Sequence, residues 1–427
     1  MFEPKRFLEN ALQIHSHGTV VAQILSHAFN AVDPGIAVKT FLHNNPLPVG
    51  KRIFAFGLGK ASCAMMNALA DEVLLADSLV ITKHASFLTV EPVTVIEGNH
   101  PIPGSASLQA GNAAIKFLAQ ITQDDLLICL ISGGGSALMT APRVSLEDLQ
   151  TLTSALLACG ARIDEINTLR RHLDRLKGGG VVGMANGAQV ISLLLSDVVG
   201  DSLEAIASGP TVPDPTTLAD SISIIEKYDL TNKIPASIVS ALTETLKPDD
   251  PIFQKVQNTV IASNSIALRS AQVQAELLGF QSKIVNTSLQ GEARILGAQF
   301  AVQLKESLQT MPRPFCLLAG GEATVIINGN GKGGRNQELA LAAVDALAGV
   351  QDVLLLSIAT DGEDGPTDAA GAFVTGETAQ RAESLGMFAA DYLLNNDAYS
   401  YFEKIDHLLK VGPSGTNVND LVICFAF

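Results

Sequence analysis

The chain reads as an α/β protein of the doubly wound class. Three observations predict it. Short, nearly continuous apolar runs recur along the sequence, segments of helical character separate them, and glycine-rich or acidic turns stand directly after several of them. Strands that are apolar on both faces belong to parallel sheets covered by helices. Ligands of such sheets bind beyond the carboxyl ends of the strands, where these polar turns fall.

The elements follow in order. A helix is expected over residues 7–29, free to pack on either half of the chain. Residues 53–56 form the first strand and precede a helix over 61–75. Residues 78–82 and 93–97 are short β-branched runs. The apolar run 126–131 leads into Ser132-Gly133-Gly134-Gly135-Ser136, and 190–195 leads into Ser196-Asp197. The basic segment 167–180 reads as a helix closed by a glycine cap. In the second half, 259–262, 282–285, 315–319 and 353–359 behave as strands. The stretch 210–251 carries Pro213, Pro215, Pro235 and Pro248 around a linking helix at 218–228. It therefore sets the predicted boundary, with domains at 1–240 and 241–427.

The composition is that of a globular protein, 47% hydrophobic and 17% charged, and a length of 427 residues suits about two or three domains. The net charge of -15 disfavours nucleic acid and anionic membranes as partners. Local cationic patches on such a chain are accordingly informative. No apolar stretch is long enough to span a bilayer, and the first residues lack the order of a signal peptide. The five cysteines, Cys63, Cys129, Cys159, Cys316 and Cys424, are scattered and lie mostly in apolar runs. They read as buried reduced thiols, which fits a cytoplasmic protein. No His pair has the spacing of a helical metal site.

Two distant glycine turns each carry a fixed cation: Gly57-Leu58-Gly59-Lys60 and Gly331-Lys332-Gly333-Gly334-Arg335. Glycine lets backbone N–H groups approach an anion, a helix start adds partial positive charge, and Lys or Arg adds a full one. This suits a phosphorylated ligand; a plain strand-to-helix turn and a mobile surface loop are the structural alternatives. Ser62 replaces the third glycine of a dinucleotide loop, and Lys83 and His84 stand where its acidic residue would be. Phe54 and Ala61 likewise occupy positions that a P-loop fills otherwise. Ser132 to Ser136 is a candidate nest of N–H donors for phosphate or carboxylate. Leu130 and Leu138 spoil the hydrolase pattern around either serine. Lys177 is the functional candidate of the basic segment, against a plain helix-dipole complement. Asp197 suits a proton acceptor, a Mg²⁺ ligand or a helix cap. Asp361 and Asp364, in the acidic run 360–368, are candidates for a metal–phosphate role.

Taken in order, these segments resemble the MOFRL-type glycerate 2-kinases, also called class II glycerate kinases. The resemblance rests on residues 57–62, Gly98-Asn99-His100-Pro101-Ile102-Pro103-Gly104, 132–138, 167–179 and 196–201. It continues through Ala207-Ser208-Gly209-Pro210-Thr211, 320–325, 333–338 and 360–365. It implies an N-terminal Rossmann-like domain, a C-terminal MOFRL-type α/β domain, and an active site in the interdomain cleft. It also implies transfer of the γ-phosphoryl of ATP to the 2-hydroxyl of D-glycerate, with Mg²⁺ or another divalent cation. Lys60 and Arg335 match the residues favoured as catalytic. The residue chemistry adds Asp197 to orient or deprotonate the hydroxyl. Gly57, Gly59, Ser132, Gly133, Gly134, Gly135, Ser136, Lys177 and Glu322 are then expected at substrate or phosphate, with Asp361 and Asp364 at the metal. Gly180 departs from the pattern, which has a larger, often basic residue there. An NAD(P)H-dependent hydroxypyruvate reductase is the rival reading, and a non-catalytic anion binder the third. The partners expected are D-glycerate and ATP; a monomer and a homo-oligomer both stay open.

Overall fold

The computed structural model describes residues 2–8 and 12–427. The chain divides into two compact units: Pro34–Ile261, and Ala262–Phe427 joined by the N-terminal residues up to Asp33.

The first unit is built on β1 (Ile53–Leu58), β2 (Asp77–Thr82), β3 (Thr94–Glu97), β4 (Leu126–Ile131), β5 (Gln189–Leu195) and β6 (Val256–Ala262). They lie in the order β3-β2-β1-β4-β5-β6, and β1 to β5 pair in parallel. β4 is buried along its whole length, as its unbroken apolar sequence requires. Phe54, Phe56 and Leu127 pack with Phe117 and Leu118 of the helix Ser105–Leu118. Each such side chain contributes roughly 1.5–3 kcal/mol by leaving water. A separate helical cluster gathers Leu152, Leu156, Ile166, Leu169, Ile225 and Ile238.

The second unit carries β7 (Gln281–Glu292), β8 (Phe315–Thr324), β9 (Val353–Ala359), β10 (Gly371–Thr375), β11 (Leu408–Leu409) and β12 (Asp420–Ala426), in the order β11-β10-β9-β12-β8-β7. Here the sheet is mixed rather than parallel. β7 and β8 run together, but β12 is antiparallel to both β8 and β9, and β10 is antiparallel to β9 and β11. The final strand returns between two strands that already run alike. Its direction follows from the chain's path and is not written in its own apolar sequence.

The compact units depart from the expected division at 240/241. Residues 241–261 stay with the first unit because β6 adds to the edge of its sheet. The N-terminal residues join the second unit through specific bonds. Arg6 donates to the carbonyls of Val411 and Pro413 at 2.6 and 2.7 Å. Ser270 donates to the carbonyl of His27 at 2.9 Å, and Thr416 to that of Val32 at 2.7 Å. The helix expected over 7–29 is two helices, Pro4–Leu8 and Gly18–Ala31. Gly18 lies so close to the Leu12 carbonyl that a Cβ would come within 1.8 Å of its oxygen.

His407 is buried against Phe373, with ring centroids 4.3 Å apart. Burial first, and then the charge of Arg381, lowers its pKa from 6.5 to about 3. The folded value lies below the unfolded one, so the stability held by neutral His407 is complete above pH 6.5 and is lost as pH falls toward about 3. Unfolding free energy should therefore drop by about 1.4 kcal/mol per pH unit in that window. His407→Gln should remove this part of the slope. Denaturant unfolding at about pH 7, 5.5 and 4 measures both.

Candidate active site

In the unit Pro34–Ile261, the site forms where β1, β4 and β5 end. Gly59 follows β1 with φ of +120°, and a Cβ there would lie 2.3 Å from the carbonyl and hydroxyl oxygens of Ser132. Only glycine permits that approach. The contact is then bonded: Lys60 N–H donates to Gly133 O, and Ala61 N–H to Ser132 Oγ, both at 3.0 Å. Ser132 N–H donates to Leu58 O at 2.8 Å. The turn is thus a clamp between neighbouring strand ends. Its N–H groups are already engaged, so what it offers a ligand is the exposed Lys60 side chain. Gly57 lies within β1, where a Cβ would press on Ser62 at 3.2 Å. Ser62, in place of a third glycine, donates to Gly59 O at 2.7 Å.

The glycine triplet receives side chains from several elements. A Cβ on Gly133 would fall 1.9 Å from Asp197 Oδ2. A Cβ on Gly134 would lie 3.3 Å from the His100 ring and 3.4 Å from Lys60 Cε. Gly135 accommodates Ala207. Lys60, Asp197 and His100 therefore converge on one turn. Burial raises the pKa of Asp197, while its own backbone N–H and the Lys60 charge hold the rise back. Burial, then the charges of Lys60 and Lys83, lowers that of His100 and keeps its imidazole neutral. Ser136 Oγ meets Ser208 Oγ at 2.8 Å.

Lys177 sits otherwise than expected. The helix Ile163–Leu173 ends at Asp174, which is extended at φ −118° and ψ 141°, and does not continue to the glycines. Asp174 Oδ2 accepts from Thr140 Oγ1, the Ala141 N–H and Lys177 Nζ at 2.7, 3.0 and 2.8 Å. Lys177 also donates to Met139 O at 2.9 Å. Its charge is spent in a buried ion pair. Gly178 and Gly179, at φ of +55° and +84°, open the short helix Gly180–Met184 instead of closing the longer one. At Gly180 a Cβ would meet Arg175 O at 2.2 Å, which accounts for glycine where a larger residue was expected.

The second unit holds a cavity of about 830 Å³ lined by Glu322, Arg335, Glu338, Asp361 and Asp364. Arg335 opens the helix Arg335–Leu347 and binds Asp420 through two bonds of 2.6 and 3.0 Å, and Glu322 at 3.0 Å. Burial opposes its charge, but the Asp420 bonds and the charges of Asp420, Glu322 and Asp364 raise its pKa. The glycine loop before it is pinned rather than mobile. Gly334 must lack a Cβ because Asp364 lies 2.3 Å from where one would be. Asn396 Oδ1 accepts the N–H groups of Asn328 and Gly329 at 2.8 and 2.9 Å. Lys332 Nζ stands 3.9 Å from the Tyr399 ring centroid.

Asp361 and Asp364 do not present two open carboxylates to a metal. Asp364 Oδ1 accepts the Asn336 N–H at 3.1 Å and Oδ2 the Gln337 N–H at 2.9 Å, so it caps the Arg335 helix. Burial pushes its pKa up to about 6 against those bonds. Asp361 Oδ1 accepts the Glu363 N–H at 3.1 Å. Among the described residues, no group of three or more His, Cys, Asp or Glu side chains is set to hold a metal ion. The pair does not fit a preassembled cation cage.

The structure thus gathers Lys60, Asp197 and Ser132 to Ser136 in one unit, and Glu322, Arg335, Asp361 and Asp364 in the other. Sequence reasoning passed over His100 and Asp420. The first stood within a quoted motif, at Gly98 to Gly104. The second had no local signal, because its importance comes from the strand order.

Residues 20–243 match the family described as Domain of unknown function (DUF4147), and residues 315–420 match the MOFRL family. A glycerate 2-kinase of Pyrococcus horikoshii is 39% identical, over 94% of this chain and 95% of its own. A D-glycerate 2-kinase of Thermotoga maritima is 39% identical over 99% of both chains. The crystal structure of a glycerate kinase from Thermotoga maritima matches with a TM-score of 0.90 at 40% identity, covering 96% of this chain and 99% of that one. No helix among the described residues is long and apolar enough to cross a membrane. With matched segments in the same order and relatives similar along nearly its whole length, the chain belongs to the MOFRL-type glycerate kinase family.

Proposed function

We propose that the protein is an ATP-dependent glycerate 2-kinase that converts D-glycerate and ATP to 2-phosphoglycerate and ADP. The observation that carries this is the near-full-length identity to glycerate 2-kinases. The convergence of Lys60 and Asp197 on the glycine triplet supports it. The substrate's 2-oxygen bonds to the γ-phosphorus, the bond from that phosphorus to the β,γ-bridging oxygen breaks, and the hydroxyl proton leaves. Asp197 takes or orients that proton; a pKa above the ordinary carboxylate range suits the task. Lys60 offsets charge on the transferring group, and Arg335 is the cation that the second unit's cavity offers to a phosphate. Phosphoryl transfer needs positioning and charge neutralisation more than covalent catalysis.

A divalent cation enters this reading as the companion of the triphosphate. A Mg²⁺ ion commonly keeps phosphate and water ligands with one or two carboxylates, and exposed Glu322 and half-buried Asp361 line the cavity beside Arg335. For the rival reductase, the N–H groups that would meet a pyrophosphate at the first turn already bond Gly133 and Ser132.

The deciding assay supplies D-glycerate with Mg-ATP and follows ADP, with 2-phosphoglycerate identified as product. NADH oxidation with hydroxypyruvate runs alongside and would instead support the reductase. Lys60→Ala and Arg335→Ala should each lower kcat/KM by roughly 10²–10³-fold, as for loss of one preorganised electrostatic group. Wild-type turnover in both folded variants would remove their assigned roles. Asp197→Asn should lower kcat more than it changes the KM for D-glycerate. The wild-type rate should fall on acidification through a pKa above the usual carboxylate value, and a flat acid limb would count against Asp197 as the base.

A further inference from the structure

One cation beside the glycine triplet has no counter-charge. Arg170 lies in the last turn of the helix Ile163–Leu173 and is half-buried. It lines a narrow slot with Ser136, Thr140, Asp174, Lys177 and Pro103. Among the described residues, no carboxylate reaches its guanidinium to form an ion pair, and no oxygen accepts a hydrogen bond from it. Asp174 shares the slot but is already matched by Lys177 at 2.8 Å. The slot therefore keeps one unmatched positive charge. Burial alone lowers the pKa of Arg170, although a guanidinium stays charged. Taking a cation out of water without a partner is costly, so its persistence points to a ligand that supplies the anion.

We infer that Arg170 and Ser136 form the subsite for the carboxylate of the substrate acid, a reading that rests on the proposed glycerate kinase activity. The charge balance selects a monoanion. The planar guanidinium selects a planar, two-oxygen group, because that fork matches a carboxylate through paired N–H···O bonds. The chemistry of a 2-hydroxy acid adds a spatial condition: its hydroxyl is one carbon from its carboxylate, so the carboxylate subsite must adjoin the group that handles the hydroxyl proton. Ser136 stands three residues after Gly133, against which Asp197 rests. Ser136 Oγ, paired with Ser208 Oγ at 2.8 Å, offers a hydroxyl to the same carboxylate. The subsite accounts for selection of the acid over its neutral relatives.

The test compares full-length wild type, Arg170→Gln and Arg170→Lys by calorimetric titration with D-glycerate and by steady-state kinetics. Removing a charged hydrogen-bonding partner of a buried ligand group should weaken D-glycerate binding by at least about 30-fold in Arg170→Gln. The KM for ATP should stay within about twofold, Arg170→Lys should be intermediate, and the neutral amide of glycerate should bind wild type and Arg170→Gln alike. Without ligand, Arg170→Gln should melt no lower than wild type, since an unmatched half-buried charge is gone. Unchanged D-glycerate affinity in folded Arg170→Gln, a loss of ATP affinity instead, or a fall in ligand-free stability would each overturn the subsite. If wild type binds D-glycerate in an Arg170-dependent way but yields no ADP, the kinase reading fails and the subsite stands. If ADP forms and Arg170→Gln binds D-glycerate normally, the kinase reading stands and the subsite fails. If wild type neither binds nor turns over D-glycerate, both fall.

Discussion

The first unit's site depends on two loops touching through bare backbone. β1 and β4 are hydrogen-bonded neighbours, so the turns that leave them start about 4.8 Å apart. A side chain at Gly59 would push those turns apart, and one at Gly133 would displace Asp197. With glycine at both places the backbones bond directly, and Lys60 and Asp197 are brought to the same triplet. The N–H groups of Lys60 and Ala61 are used up in this contact, in which the triplet loop takes part through Gly133 O and Ser132 Oγ. At the first turn, charge for a phosphoryl group must then come from the Lys60 side chain rather than from its backbone.

Arg335 shows the opposite arrangement, a cation supplied with acid in excess. Asp420 holds it from a buried position through two bonds, with the side chain of Asp420 only 3% exposed. Glu322 is 45% exposed. An exposed pair contributes little, at about 0–1 kcal/mol, so Glu322 is the partner that can be exchanged for a ligand anion. Asp420 is the one that keeps the guanidinium aimed. Asp364, capping the same helix, fixes where Arg335 begins. Asp420 thus holds the arginine through its guanidinium, and Asp364 holds the helix start through the N–H groups of Asn336 and Gln337.

Much of this arrangement was legible in the sequence, for a physical reason. Strands buried on both faces are mostly apolar, and β1, β4, β5 and β9 are so apart from Gln189, Ser192 and Ser357. The turns after them carried Lys60, Ser132 to Ser136 and Asp197, so their clustering followed from a parallel sheet. Strand direction was less accessible. Beyond Asp420, β12 is as apolar as β4, yet it runs antiparallel to both neighbours, and Asp420 matters only because of that placement. The basic segment 167–180 misled for a related reason. Its helical pattern continues past Leu173, but Asp174 is drawn into a bridge with Pro142, a contact that no local propensity encodes. The sequence left the N-terminal helix free to pack on either half, because the bonds that decide it are to residues hundreds of positions away.

The buried pair Lys177–Asp174 still bears on the site, by a route through backbone. Ala207, Ser208 and Gly209 have φ of +51°, +62° and +62°, and for the two non-glycine residues this costs about 1–2 kcal/mol each. Such strain persists only where surroundings over-determine it. Here Gly178 N–H donates to Ser208 O at 3.0 Å and Gly179 N–H to Gly209 O at 2.8 Å. Those two glycines directly follow Lys177, whose ammonium is fixed to Asp174 and Met139. Ser208 in turn holds Ser136. The lysine that sequence placed on the substrate is therefore an anchor: it locates the 178–179 backbone, which braces the strained run, which sets the hydroxyl at the end of the glycine triplet. Its charge is cancelled by Asp174, and that cancellation leaves the charge of Arg170 unmatched in the same slot.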